Sequence, residues 1–142
     1  LGYDEAWVGE HHSTGWETIA SPELFLAVAA ERTRHIRLGT GVVSLPYHHP
    51  LMVADRIVLL DHLTRGRINF GVGPGGHLTD AMMLGLEAQR LRPMMAEALD
   101  VIVRLMTDPE PLTVETDWFR LRDAVLQLRP HQSPHPPLAV TS

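Results

Sequence analysis

The 142-residue sequence has no cysteine, and all 12 of its basic residues are arginine, so lysine is missing as well. Without a thiol there is no disulfide, no thiolate metal site and no cysteine nucleophile. Without lysine there is neither a Schiff base nor a Walker-type phosphate loop. Aromatic residues are few, at 6%, and no apolar run approaches the roughly 20 residues that span a bilayer. Positive charge is scarce too: 12 basic against 17 acidic residues leave a formal charge of −5. That balance gives no electrostatic footprint for nucleic acid or anionic lipid, and neither is expected as a partner.

What is present is an ordinary globular composition, 44% hydrophobic and 20% charged. Leu1-Gly2-Tyr3-Asp4 runs straight into apolar Ala6-Trp7-Val8, and the sequence stops at Thr141-Ser142 just after another apolar run. Domains usually end in frayed polar tails, so residues 1–142 are expected to be a single segment of a larger domain, incomplete at both ends. Outer strands left without partners would make such a segment marginally stable in isolation. A cytoplasmic location is the default for a cysteine-free sequence with no leader.

Short apolar runs alternate with longer periodic ones. Ala6 to Gly9 reads as a buried strand, followed by the polar cluster Glu10-His11-His12-Ser13. Ser21-Pro22 starts a helix to about Arg34, with Ser21 as N-cap and with Leu24, Phe25, Val28 and Ala29 on one side. After a strand at 36–40, Pro50 opens a helix to about Leu63, closed by a left-handed glycine at Gly66. A strand at 68–72 leads into a glycine-rich turn, a short helix around Asp80 to Leu84, and a long helix from Pro93 with Met95, Leu99, Ile102 and Met106 facing a core. A small hairpin around Thr116-Asp117 and a last strand at 138–140 complete the chain. This order indicates a parallel sheet, either doubly wound or part of an eightfold barrel. In both, function gathers at the C-terminal ends of the strands. The runs 6–9, 36–40, 68–72 and 138–140 should then be neighbouring strands in sequence order.

Several motifs lie at those ends. Gly71, Gly73 and Gly76 match the spacing of a dinucleotide fingerprint, but the acidic residue about 20 positions on, Glu97, falls inside a helix, and Pro74 removes an amide. The loop reads better as one kept small for a flat ligand. Adjacent histidines on an extended segment point to opposite faces, so His11-His12 and His48-His49 offer no metal set. His48-His49 reads as a loop before a helix, while His11 stands where a barrel places a catalytic group. Thr40-Gly41-Val42-Val43 is either a bulge for close backbone approach or simple packing against a helix. Arg90 and Arg92, just before the long helix, are either an anion site or solvated surface arginines.

Three blocks, Gly2 to His12, Leu38 to Pro46 with His49-Pro50, and Leu60 to Arg67, together resemble the bacterial luciferase-like flavin-dependent monooxygenases, in detail the limonene monooxygenase-like branch. The resemblance implies an α/β fold, a partial (β/α)8 TIM barrel supplying strands two to five with their helices and a small hairpin. It implies reduced FMN from a separate flavin reductase, O2, a small apolar substrate, and a homo- or heterodimer. His11 matches the active-site histidine, and Asp80 falls where the family has a catalytic-site aspartate. Gly41-Val42 matches a bulge with a cis peptide beneath the flavin. Thr40, Gly41, Val42, Gly73, Arg92 and Ser142 make up the implied flavin-contact set, Arg92 and Ser142 toward the phosphate. Pro74 stands where luciferase carries a second arginine. A deazaflavin-dependent oxidoreductase, or a non-catalytic flavin-binding or assembly module, remains as an alternative.

Overall fold

The computed structural model describes residues 2–141. In chain order the regular elements are β1 (Glu5–Val8), α1 (Pro22–Arg32), β2 (Arg37–Thr40), β3 (Val43–Ser44), α2 (Pro50–Thr64), β4 (Ile68–Gly73), α3 (Leu78–Met83), α4 (Leu91–Thr107), β5 (Leu112–Glu115), β6 (Arg120–Ala124) and β7 (Leu138–Val140). The sheet is wholly parallel. β1 pairs with β2 (Ala6 opposite Leu38), β2 with the first half of β4 (Leu38 opposite Ile68), and β7 with β4 from the other side (Phe70 opposite Leu138). β3 continues along the β2 side of β4, with Val43 opposite Val72. It is the same strand resumed after a break at Gly41–Val42, whose peptide is cis. The four expected runs are thus neighbours in sequence order with no reversal, as in a barrel.

Alternation along the strands divides the sheet into two faces. Leu38, Ile68, Phe70 and Val72 are buried against Leu26, Ala30, Val53, Ile57, Ala98 and Ile102 of the covering helices. The other face is built around Trp7. A Cβ added at Gly39 would stand 2.3 Å from its indole, and one at Gly71 would stand 1.9 Å from the Thr40 carbonyl oxygen. These two glycines are the space that the indole and the neighbouring strand occupy.

Several boundaries and faces differ from expectation. In α1 the buried line is Pro22, Leu26 and Ala30, whereas Leu24, Phe25 and Val28 are exposed. The helix is apolar on most sides, so its periodicity does not choose a face. Ser21 occupies the N-cap position, but its hydroxyl donates to Glu23 Oε2 (3.1 Å) and accepts no helix N–H. In α2, Val53, Ile57 and Leu60 are buried and Leu63 points outward, while Arg65 shares the left-handed conformation of Gly66. α4 begins at Leu91, two residues before Pro93, which sits harmlessly in the first turn. Its buried line runs through Met94, Ala98, Val101 and Leu105 with Ile102 and Met106, and Met95 and Leu99 flank it, half-buried. In the hairpin, Trp118 and Phe119 belong to the turn, where the Thr116 N–H donates to the Phe119 carbonyl.

Candidate active site

The loops after β1, β3 and β4, together with the start of α4, meet at the C-terminal end of the sheet. One cavity there, of about 330 Å3, is lined by Val42, Pro74, Gly75, Gly76, Arg92 and Thr141 among others. Two glycines at this end, Gly73 and Gly75, have no room for a side chain. A Cβ at Gly73 would lie 2.6 Å from Thr141 Oγ1 and 2.7 Å from Val42 Cγ2, and one at Gly75, whose φ is +86°, would lie 2.3 Å from the Tyr47 hydroxyl. Arg92 lies within the first turn of α4, not before it, and makes no ion pair among the described residues. Arg90 is separated from it, bound to Asp117 of the hairpin turn. The two arginines therefore do not form one anion site.

A second cavity, of about 340 Å3, opens beside Trp7, His11, Trp16, Ile19 and Phe25. His11 Nε2 pairs with Glu17, and its ring meets His77 edge-on with centroids 4.6 Å apart. His11 Nδ1 is buried and has no partner. If Nε2 donates to the Glu17 carboxylate, Nδ1 is left as an open acceptor.

His12 does turn away from His11, yet not outward. Its Nε2 lies 2.9 Å from Glu10 Oε1, and His48 Nε2 lies 2.6 Å from the same oxygen. Glu10 Oε2 accepts the Ser44 N–H at 2.7 Å. Burial alone would push this carboxyl up, but His48, the Ser44 amide and His12 outweigh it and hold Glu10 below the usual carboxylate range. His48 is therefore a member of the site and not merely a loop residue, while His49 packs its ring 6.0 Å from Phe119. Asp80 is buried beside this group. It accepts the Ser13 hydroxyl and the His12 N–H (3.3 Å). Burial pushes its carboxyl up, and those hydrogen bonds with the nearby His12 and His77 imidazoles more than reverse that, leaving it lowered.

Of the flavin-contact set, Val42 and Arg92 line the first cavity, Gly73 packs against Val42 and Thr141 beside it, Gly41 joins Val42 through the cis peptide and faces Trp7, and Ser142 lies outside the described residues. Thr40 is different. It is fully buried, its hydroxyl donating to the Gly71 carbonyl (2.7 Å) and accepting the Gly71 N–H (2.8 Å), so that side chain is spent within the sheet. Sequence reasoning does not single out Glu10, Tyr47, Glu17 or His77 as partners in the site. For Glu10 the one signal that could find it is a carboxylate ending a buried strand between a glycine and two histidines. Among the described residues no group of three or more His, Asp or Glu is arranged to hold a metal ion.

The model of the luciferase-like monooxygenases matches residues 1–142. The chain belongs to the luciferase-like monooxygenase family. This luciferase-like chain is 64% identical over 142 residues to 4-hydroxyprotoasukamycin monooxygenase of Streptomyces nodosus subsp. asukaensis, covering 100% of this chain and 38% of that protein. It is 57% identical over 133 residues to limonene 1,2-monooxygenase of Rhodococcus erythropolis, covering 94% of this chain and 34% of that protein. Among solved structures, the oxygenating constituent of 3,6-diketocamphane monooxygenase from Pseudomonas putida, in complex with FMN, superposes with a TM-score of 0.87 at 27% identity, over 98% of this chain and 41% of that one. The chain spans about a third to two fifths of the length of these relatives. Its sheet and helices are part of the luciferase-like (β/α)8 barrel. No helix among the described residues is long and apolar enough to cross a membrane.

Proposed function

We propose that this chain carries the flavin-binding and proton-handling part of a monooxygenase that uses reduced FMN and O2 to oxygenate a small apolar organic substrate. The observation that carries the reading is the first cavity, where glycines that admit no side chain lie near an arginine that makes no ion pair among the described residues, at the start of a long helix. A planar ring needs backbone-close approach, and a phosphate needs cations and helix N–H groups. Gly73 and Gly75 provide the first, Arg92 and the first turn of α4 the second. The residues present therefore fit a flavin phosphate.

When bound, reduced flavin supplies the electrons that activate O2. The protein supplies the rest. His11, oriented by Glu17, offers Nδ1 as the atom that takes up or returns a proton. A buried acceptor without a partner costs about 1–3 kcal/mol, which a donor on the substrate would recover. Asp80 holds Ser13 and the His12 backbone, so it fixes the loop that carries His11. A flavin reductase would deliver the reduced cofactor. The exposed Leu24, Phe25 and Val28 of α1 are the surface best suited to the expected dimer.

One observation favours a second cofactor. Pro74 withholds an amide from the cavity rim, which loosens the phosphate grip and leaves room for a deazaflavin in place of FMN. The test is to titrate the full chain with FMN, FAD and a deazaflavin by fluorescence, then to assay oxygenation of small alkenes and ketones with reduced FMN and O2. FMN should bind most tightly, and His11→Ala should lower turnover about 10²-fold with little change in FMN affinity. Preferred binding of the deazaflavin, binding without turnover, or full activity in His11→Ala would each overturn the reading.

A further inference from the structure

The loops above the sheet converge on a carboxylate that the flavin reading does not use. Glu10 is 3% exposed, yet it joins its own loop to both ends of the short turn at Leu45–Tyr47. His12 belongs to its own loop, His48 precedes α2, and Ser44 lies in β3 just past the Gly41–Val42 break. Every one of these contacts requires Glu10 to accept. A carboxylate that is ionised has no hydrogen to give, so two imidazoles can share Oε1 only if both carry hydrogen on Nε2. In the neutral imidazole each Nδ1 is then the nitrogen left to accept.

The neighbours fix the loop and not the ring. Asp80 accepts the backbone N–H of His12 (3.3 Å), and His77 is the residue before α3. The Tyr47 ring meets His12 edge-on with centroids 5.9 Å apart, and its hydroxyl is buried without a partner beneath Gly75. No arginine pairs with Glu10 among the described residues, so the two histidines and the Ser44 amide are what hold its charge.

We propose that Glu10 is a positioning residue: it sets the Nε2–H tautomer and the orientation of His12 and His48 and ties the Gly41–Val42 ledge to them as one body. The claim about the ledge rests on the flavin reading, whereas the claim about tautomers stands without it. A purely structural role for Glu10, as an acceptor for the Ser44 amide, would leave the imidazole tautomers free. That difference can be measured.

Glu10→Gln keeps the size of the side chain and one acceptor oxygen. With that oxygen on the Ser44 N–H, the amide nitrogen faces the imidazoles as a donor, and a facing Nε2 must give up its hydrogen. Ring 15N chemical shifts of His12 and His48, assigned in the full chain by single substitutions, report the tautomer directly. The unsubstituted protein should show Nε2–H at both rings, and Glu10→Gln should show Nδ1–H at one or both, with FMN affinity lower by about tenfold, the scale of losing an orienting partner. Nδ1–H at either ring of the unsubstituted protein, or unchanged tautomers in Glu10→Gln, would overturn the proposal. A tautomer change with unaltered FMN affinity would overturn the link to the ledge. The expected tautomers in a protein that does not bind FMN would instead sink the flavin reading. Should Glu10→Gln fail to fold, His48→Phe leaves the carboxylate in place, and His12 must then still carry its hydrogen on Nε2; Nδ1–H there contradicts the proposal.

Discussion

The two ends of the sheet hold polar networks of similar size and opposite character. At the N-terminal end, Arg37 donates to Asn69 Oδ1 (2.7 Å) and to Gln132 Oε1 (3.1 Å), Asn69 donates to Glu5, and the Gln132 amide donates to buried Asp61 and to the Ile68 carbonyl. Arg67 donates to the carbonyls of Ala30, Thr33, Ile36 and Thr64, closing the end of α1 onto the sheet. At the C-terminal end three buried side-chain atoms are unpaired, His11 Nδ1, Thr14 Oγ1 and the Tyr47 hydroxyl, and these are the ones found among the described residues. A polar network that is closed holds a fold, and one with open valences is ready for a ligand. Size does not separate the two ends. A cavity of about 590 Å3 lies at the closed end beside Arg34, Arg65 and Arg67, larger than either cavity at the open end, but the Arg67 guanidinium on its wall is already spent.

The largest expected effect is at the closed end. Arg67→Ala strands several carbonyls at once and should lower stability by about 3 kcal/mol, read as a shift in the urea midpoint, with FMN affinity retained. Arg92→Ala should do the reverse, weakening FMN by about 10- to 100-fold with the midpoint unchanged, since the guanidinium makes no ion pair among the described residues. Equal losses of both properties in both variants would erase the distinction between the ends.

The contrast also explains what could be read from sequence. Strand order was legible because Ala6-Trp7-Val8, Ile36-Arg37-Leu38, Ile68-Asn69-Phe70 and Leu138-Ala139-Val140 are short apolar runs separated by helices, a pattern that depends on local chemistry alone. The cavity was partly legible, since Gly73, Gly75 and Arg92 occupy a turn and a helix start that sequence punctuates. The buried face of α1 was not, because Leu24, Phe25, Leu26 and Val28 are equally apolar and only the position of α2 and the sheet decides between them. Nor was the carboxylate hub: Glu10 and His48 are 38 residues apart, and nothing local brings them to 2.6 Å. Thr40 shows the opposite failure, a residue at the right strand end whose hydroxyl the sheet consumes.

A smaller effect sharpens the open end. Burial, with Asp80 and Glu10 nearby, pushes the Tyr47 hydroxyl up to about 12 from its ordinary value of 10.0. The folded protein therefore keeps this proton more tightly than the unfolded chain does, and stability should fall as pH rises from about 10 through about 12. In Tyr47→Phe that part of the alkaline decline should disappear, as followed by denaturant midpoints across the range. An unaltered decline would place Tyr47 outside the polar group at this end.

The most direct test of the division between the ends is a titration of the 15N-labelled full chain with FMN, following the ring nitrogens of His11 together with the side chains of Arg67 and Gln132. The account predicts that His11 Nδ1 moves with FMN occupancy while Arg67 and Gln132 stay fixed. A response confined to Arg67 and Gln132, with His11 Nδ1 unmoved at saturation, would contradict it.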